Sequence, residues 1–250
     1  MKQNKYDDPE FFLNYDQLPR SQGGLDAASE WPAFRSLLPD LVGKRVLDLG
    51  CGFGWHCRYA RRMQAVSVTG VDISERMLER ARADTDDAGI SYLRCAIEDF
   101  DFPAGTFDVA ISSLALHYVE RFDQVCRRVS GSLSAGGAFV FSVEHPLYTA
   151  RAEQDWCLGP QGERLHWPVD DYQQEGPRHT SWLAADVVKY HRTMASYVNT
   201  LTDAGFRIAR LLEPEPSPEI LAVNPGWLDD YRRPMFLLIG ATKDIVRTDG

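Results

Sequence analysis

Three glycines at alternate positions, Gly50, Gly52 and Gly54, follow the apolar run Arg45-Val46-Leu47-Asp48-Leu49 and precede a stretch with helical spacing. Glycine has no Cβ to hold a ligand away and accepts φ values that other residues avoid, so this order of strand, turn and helix suits close approach of a nucleotide. Twenty residues after Gly52 a second apolar run ends at Asp72. A carboxylate at the end of a second strand, at that separation, is placed to accept hydrogen bonds from both ribose hydroxyls. Proton chemistry has other candidates: Glu144 and His145 directly after the apolar run 137–143, and His191 further on. A neutral imidazole is the side chain best matched to take a proton near pH 7. His145 precedes Pro146, which restricts how the chain leaves the sheet. His117 reads as a packed residue at the entry to a helix more readily than as a substrate contact. Arg20, Arg178 and Arg192 could meet a carboxylate on cofactor or substrate, although exposure is the default for arginine.

Two nucleotide classes are disfavoured. The dinucleotide fingerprint G-x-G-x-x-G, begun at Gly50, requires glycine at position 55, where Trp55 stands and would keep helix and strand apart. No G-x-x-x-x-G-K-[ST] occurs, which removes the P-loop nucleotide hydrolases.

The segment Val46-Leu47-Asp48-Leu49-Gly50-Cys51-Gly52-Phe53-Gly54 resembles the first motif of class I S-adenosylmethionine-dependent methyltransferases. Asp72 in Gly70-Val71-Asp72-Ile73-Ser74 matches their ribose-binding acidic residue. Phe107-Asp108-Val109-Ala110-Ile111-Ser112-Ser113 looks like their fourth strand, and Leu133-Ser134-Ala135-Gly136-Gly137 is similar to the turn before their fifth. The resemblance covers about residues 40 to 145 and is greatest to the small-molecule branch that includes the ubiquinone and menaquinone biosynthetic methyltransferases. It implies S-adenosylmethionine as cofactor, with Asp48, Gly50, Cys51, Gly52 and Gly54 on the first turn, Ile73 packed on adenine, and Ser113 and Leu114 at the methionine end. Where the family commonly carries an acidic residue facing the adenine amino group this chain has Ala96, so adenine recognition falls to Ile97 and Glu98.

At 250 residues the chain is long enough for one α/β domain with an insertion. A net charge of −9 supplies no basic surface for phosphate backbones, so duplex nucleic acid is not expected as a partner. The five cysteines, at 51, 57, 95, 126 and 157, show no C-x-x-C spacing, and His166 and His179 lack ligand-like partners, so neither structural zinc nor a catalytic metal is expected. With a polar N-terminus and no apolar run of membrane-spanning length, the expectation is a cytoplasmic protein.

Apolar runs of four to eight residues alternate with helical patterns from Val46 to Val143, the signature of parallel β-α-β units. Strands are expected at 45–49, 67–72, 90–96, 107–112 and 137–143, and helices at 55–63, 74–83 (with Ser74 as N-cap) and 121–133. A late helix over about 186–204 stops at Gly205 and is followed by strands near 206–212 and 235–242. The expected fold is thus α/β: a Rossmann-like, doubly wound, mostly parallel seven-stranded sheet with an antiparallel edge strand and an insertion after strand five. It would form one domain over 1–250: an N-terminal helical cap (1–40), a cofactor-binding core (41–145), a lid (146–185), and a C-terminal helix and strand pair (186–250). Aromatics in the lid, Tyr148, Trp156, Trp167 and Trp182, argue for order. The expected partner is a small-molecule acceptor, with room for a homodimer. Transfer to protein or tRNA, and binding of the cofactor without transfer, are the competing readings.

Overall fold

A computed structural model describes residues 2–223 and 225–245 of the chain; Met1 and the last five positions of the expected C-terminal segment lie outside the described residues. Short helices α1 (Pro9–Asp16), α2 (Pro19–Gly23) and α3 (Trp31–Leu37) lead into β1 (Arg45–Leu49), α4 (Trp55–Arg62), β2 (Ser67–Asp72), α5 (Glu75–Ala83) and β3 (Ile90–Arg94). There follow β4 (Phe107–Ser113), α6 (Phe122–Ser132), β5 (Leu133–Glu144), α7 (Pro146–Thr149), β6 (Cys157–Leu158), β7 (Arg164–His166), β8 (Gly176–Trp182) and β9 (Ala184–His191). The chain ends with α8 (Met194–Asp203), β10 (Phe206–Leu212), α9 (Pro218–Val223) and β11 (Phe236–Lys243).

The main sheet has seven strands in the order β10-β11-β5-β4-β1-β2-β3. β1 to β5 are parallel, and β11 runs antiparallel to both β5 and β10, which makes the expected antiparallel pair at that edge. β1 lies mid-sheet with Val46, Leu47 and Leu49 wholly buried, which explains an uninterrupted apolar run in place of an alternating one. On one face Phe122, Val125 and Val129 of α6 and Tyr197 and Leu201 of α8 pack against Leu47, Leu49, Phe139 and Phe141. On the other, Trp31 and Phe34 of α3, Cys57 and Ala60 of α4 and Leu78 of α5 cover Val46, Val68, Ile111 and Val140. Helices on both faces make the fold doubly wound, as expected. Ser74 caps α5 by accepting from the Met77 N–H at 3.2 Å.

The late helix differs from expectation. Residues 184–191 form β9, paired antiparallel with β8, and the helix begins only at Met194. Along β9 burial alternates, with Val187, Lys189 and His191 facing in, and Val187, Val188 and Tyr190 are residue types that favour a pleated surface. Thr193 accepts from the Ser196 N–H at 3.1 Å and so fixes where α8 starts. The inserted segment therefore comprises two hairpins and runs past position 185. Its aromatics are fastened by Arg233, whose guanidinium lies 4.5 Å from the Trp167 ring and 4.9 Å from Tyr148. No helix of the described residues is long and apolar enough to cross a membrane.

Candidate active site

Strand order reverses between β1 and β4, so the loops leaving their carboxyl ends diverge and open a crevice. A cavity of about 630 Å³ occupies it. All five parallel strands contribute walls: Gly50 to Phe53 after β1, Asp72 and Ile73 after β2, Ala96 to Asp99 after β3, Ser113 to Ala115 after β4, and Glu144 at the end of β5. The N-terminal segment and β9 roof it. The Gln3 side chain bonds both polar groups of Val188, accepting from its N–H at 2.8 Å and donating to its carbonyl at 3.3 Å. Asn14 donates to the Leu183 carbonyl at 3.2 Å, and Ser74 Oγ donates to Asp7 at 2.6 Å, which ties the roof to α5.

Each oxygen of Asp72 accepts one backbone N–H, Oδ2 from Gly52 and Oδ1 from Ser74, both at 2.9 Å. These bonds orient the carboxylate and leave lone pairs for a ligand. Burial raises its pKa from 3.8 to about 6 in spite of the two donors. Gly52 has φ +50°, and a Cβ built there would meet nothing within 4 Å. Its missing side chain therefore leaves open space inside the cavity. Arg20 is paired with Glu30 in the same wall. Nearby, Ser21 Oγ and Trp55 Nε1 are sealed polar atoms with no hydrogen-bond partner among the described residues.

Of the residues expected at the site, Gly50, Cys51, Gly52, Asp72, Ile73, Ala96, Ile97, Glu98, Ser113, Leu114, Arg20 and Glu144 line this cavity. Asp48 and Gly54 do not. Asp48 lies beneath the turn, 1 % exposed, accepting from Cys57 Sγ at 3.2 Å. Gly54 is the left-handed residue that starts α4, and a Cβ there would strike the Tyr92 hydroxyl. His145 also departs from expectation: its Nδ1 accepts from the Leu147 N–H at 3.0 Å and caps α7, while Nε2 meets Glu213 at 2.7 Å, away from the cavity. His191 is buried on β9, bonded through Nδ1 to Thr149 and through Nε2 to the Tyr172 carbonyl, both at 2.9 Å. Burial lowers the pKa of both imidazoles. Neither stands on the cavity wall. Arg178 and Arg192 donate to backbone carbonyls, those of Ala150 and Glu120 among others, and do not reach the cavity. Of residues 146–185 only Trp182 reaches the cavity, where Val188 and Tyr190 of β9 join it.

The buried carboxyl of Asp48 carries a stability consequence. Burial pushes its pKa from 3.8 to about 7, so its protonated form favours the fold. The cost is absent below the unfolded pKa of about 4, grows as pH rises, and is complete above the folded value, reaching about 4 kcal/mol at most. Asp48→Asn, which still offers an acceptor to Cys57, is expected to raise unfolding free energy by about 2–4 kcal/mol at pH 8 and by almost nothing at pH 4. Denaturant unfolding at both pH values checks this; a loss of stability at pH 8 would contradict it.

Sequence reasoning gave little weight to His117 and did not single out Tyr6, Tyr15 or Tyr118, which line the inner cavity. His117 is 2 % exposed, and burial lowers its pKa to about 4. Glu144 faces it, with Oε1 accepting from Lys189 at 2.6 Å and Oε2 from Gln154 at 3.1 Å. Burial opposes this carboxylate's charge, but His117 and Lys189 outweigh it and hold its pKa below the usual value. Lys189, within the span expected to be helical, is 1 % exposed on β9. No cluster of potential metal ligands occurs among the described residues.

A methyltransferase-domain family profile matches residues 47–141, the span from β1 to β5. The solved structure of a proposed S-adenosylmethionine-dependent methyltransferase from Listeria monocytogenes is 50% identical, with a TM-score of 0.84, and the match covers 89% of this chain and 100% of that one. An S-adenosylmethionine-dependent methyltransferase from Mesorhizobium loti is 48% identical, with a TM-score of 0.83 over 88% of this chain and 100% of that one. The 27-O-demethylrifamycin SV methyltransferase of Amycolatopsis mediterranei is 35% identical over 76% of this chain and 62% of its own length. A switch-point cavity closed by a glycine turn and an oriented carboxylate, carried on a chain this similar to those enzymes, makes this protein a member of the S-adenosylmethionine-dependent methyltransferases.

Proposed function

We propose that the enzyme methylates a small organic acceptor held under the roof formed by the N-terminal segment and β9. The cofactor lies along the carboxyl edge of the sheet, its adenine against Ile73, Ala96, Ile97 and Glu98 and its ribose hydroxyls on Asp72. Gly50 and Gly52 let it pass close to the backbone, while Cys51, Ser113 and Leu114 border its methionine part. Arg20 faces the methionine carboxylate. When bound, the cofactor supplies a methyl group already activated by a positive sulfur, so the protein's task is chiefly to align the acceptor atom behind that carbon and exclude water. Tyr6, Tyr15, His117, Tyr118, Glu144 and Trp182 enclose the acceptor.

The observation that carries this reading is the roofed cavity itself: Gln3, Asn14 and Asp7 bridge to the β8–β9 hairpin and α5, which suits a molecule that fits inside better than a polymer. The net charge of −9 points the same way. Named relatives include the rifamycin enzyme and a tRNA U34 carboxymethyltransferase from Methylococcus capsulatus, 28% identical over 203 residues, so relatives alone leave the acceptor open. Incubation with methyl-labelled cofactor and, separately, a small-molecule extract, total tRNA and a protein extract tests it. Label is expected in the small-molecule fraction; label confined to tRNA or protein would overturn the reading.

A further inference from the structure

The inner end of the cavity holds hydrogen-bond donors and no free base. His117 Nδ1 accepts from the Glu144 N–H at 3.4 Å, which in a neutral ring places the ring proton on Nε2. Nε2 has no hydrogen-bond partner among the described residues and belongs to a residue of the cavity wall. It can donate to a ligand but cannot take a proton from one. Glu144, on the same wall, accepts from Lys189 and Gln154, and the buried ammonium 2.6 Å away neutralises its charge and weakens it as a base. Tyr6 and Tyr118 stand on the same wall with ring centroids 6.4 Å apart, and burial keeps both hydroxyls protonated. A protonated phenol can donate to a ligand but cannot take its proton.

The remaining titratable groups of the cavity lie elsewhere. Asp72 receives Gly52 and Ser74 on the ribose side, and Glu30 is paired with Arg20. His56 sits in an aromatic collar, its ring 5.4 Å from Trp31 and 5.3 Å from Phe34, where burial holds its pKa near 3. Tyr15 stays protonated through burial. Around the mouth Glu98, Asp99 and Glu120 face Lys2, Lys5, Arg121 and Arg128, and Lys2 pairs with Asp99. Tyr190 on the roof is an acid far too weak to act as a base at neutral pH.

We propose that the methyl acceptor is a carboxylate, a small organic acid converted to its methyl ester. This rests on the small-molecule reading above. A carboxylate is ionised at neutral pH and has no proton to lose, which suits a compartment without a base. One carboxylate oxygen forms the O–CH3 bond as the S–CH3 bond breaks, and that bond's electron pair returns to sulfur. One negative and one positive charge vanish together, and no proton moves. The His117 Nε2–H and the Tyr6 hydroxyl hold the second oxygen. Because negative charge falls on the way to the transition state, donors there serve binding and orientation more than the chemical step. Their removal should therefore appear in KM.

The test gives the enzyme methyl-labelled S-adenosylmethionine and a panel of benzoate, phenylacetate and octanoate, each beside its matched alcohol and amine. Label is expected on at least one acid, as a methyl ester that mild alkali releases as methanol. The rate at saturating cofactor should be flat from about pH 7 to 9, where the acid is already ionised. His117→Ala and Tyr6→Phe should each raise KM for the acid about tenfold with kcat within about threefold and cofactor affinity unchanged. Tyr6→Phe keeps the ring and stands if His117→Ala does not fold. Label only on alcohols or amines, no label on any acid, or a kcat that climbs with pH and collapses in His117→Ala would overturn the proposal. Calorimetry with S-adenosylmethionine on the same preparations separates the failures: a protein that binds cofactor and methylates amines loses only this inference, whereas one that binds no cofactor loses the reading beneath it.

Discussion

Asp72→Ala is expected to weaken S-adenosylmethionine binding about a hundredfold in a protein that remains folded. On the proposed assignment the substitution removes two charge-assisted hydrogen bonds to the ribose, together about 3 kcal/mol. The Gly52 and Ser74 N–H groups also lose their acceptor, so Asp72→Asn, which keeps an oxygen, should fall between alanine and the parent. The carboxylate's pKa of about 6 in the free protein adds a pH signature. Only the ionised form accepts from both hydroxyls, so affinity should level off above about pH 7 and decline as pH falls through 6. The asparagine variant should lose that dependence. Titrations across this range check both points; unchanged affinity in a folded Asp72→Ala variant would remove Asp72 from the site.

Gly52→Val is expected to abolish measurable cofactor binding, a loss of at least about a hundredfold. The turn's glycines differ in why they tolerate no side chain. At Gly50 a Cβ would lie 2.4 Å from that of Ala115, and at Gly54 it would lie 2.2 Å from the Tyr92 hydroxyl, so substitution there disturbs the fold. At Gly52 nothing stands within 4 Å. The Cβ of a valine therefore meets no neighbour in the free protein; the residue pays for a left-handed φ, about 1–2 kcal/mol, and projects into the space proposed for the cofactor. Thermal unfolding beside a binding titration separates the two effects, with a modest fall in midpoint and complete loss of binding expected. Normal binding would mean that the turn does not face the cofactor.

The glycine-turn side of the cavity was legible because it is local. A strand, a glycine turn and a helix announce themselves within ten residues, and the separation of Gly52 and Asp72 corresponds to a direct bond, the Gly52 N–H donating to that carboxylate. Strand order and the exits of five parallel strands then follow from β-α-β connections. The side lined by Glu144 and His117 was less legible. Reading Glu144 and His145 as a pair overlooked strand alternation: successive residues of an extended chain point to opposite faces, so with Glu144 on the cavity wall His145 turns away to cap α7. His117 carries no spacing that separates a packed histidine from a cavity one; its Nδ1 finds Glu144 only through tertiary packing. The β9 segment looked helical because its charged and polar residues mask the alternation, and its strand character depends on pairing with β8. The roof joins Gln3 to Val188 across 185 positions, a relation that no local pattern encodes.

The central claim, that the switch-point cavity is the S-adenosylmethionine site, is tested most directly by calorimetric titration of the protein with S-adenosylmethionine, S-adenosylhomocysteine and NAD, beside Gly52→Val. The account predicts saturable binding of the first two, none of NAD, and none of any of the three by the variant. Binding of NAD in preference to the sulfur compounds, or undiminished S-adenosylmethionine binding by Gly52→Val, would contradict it.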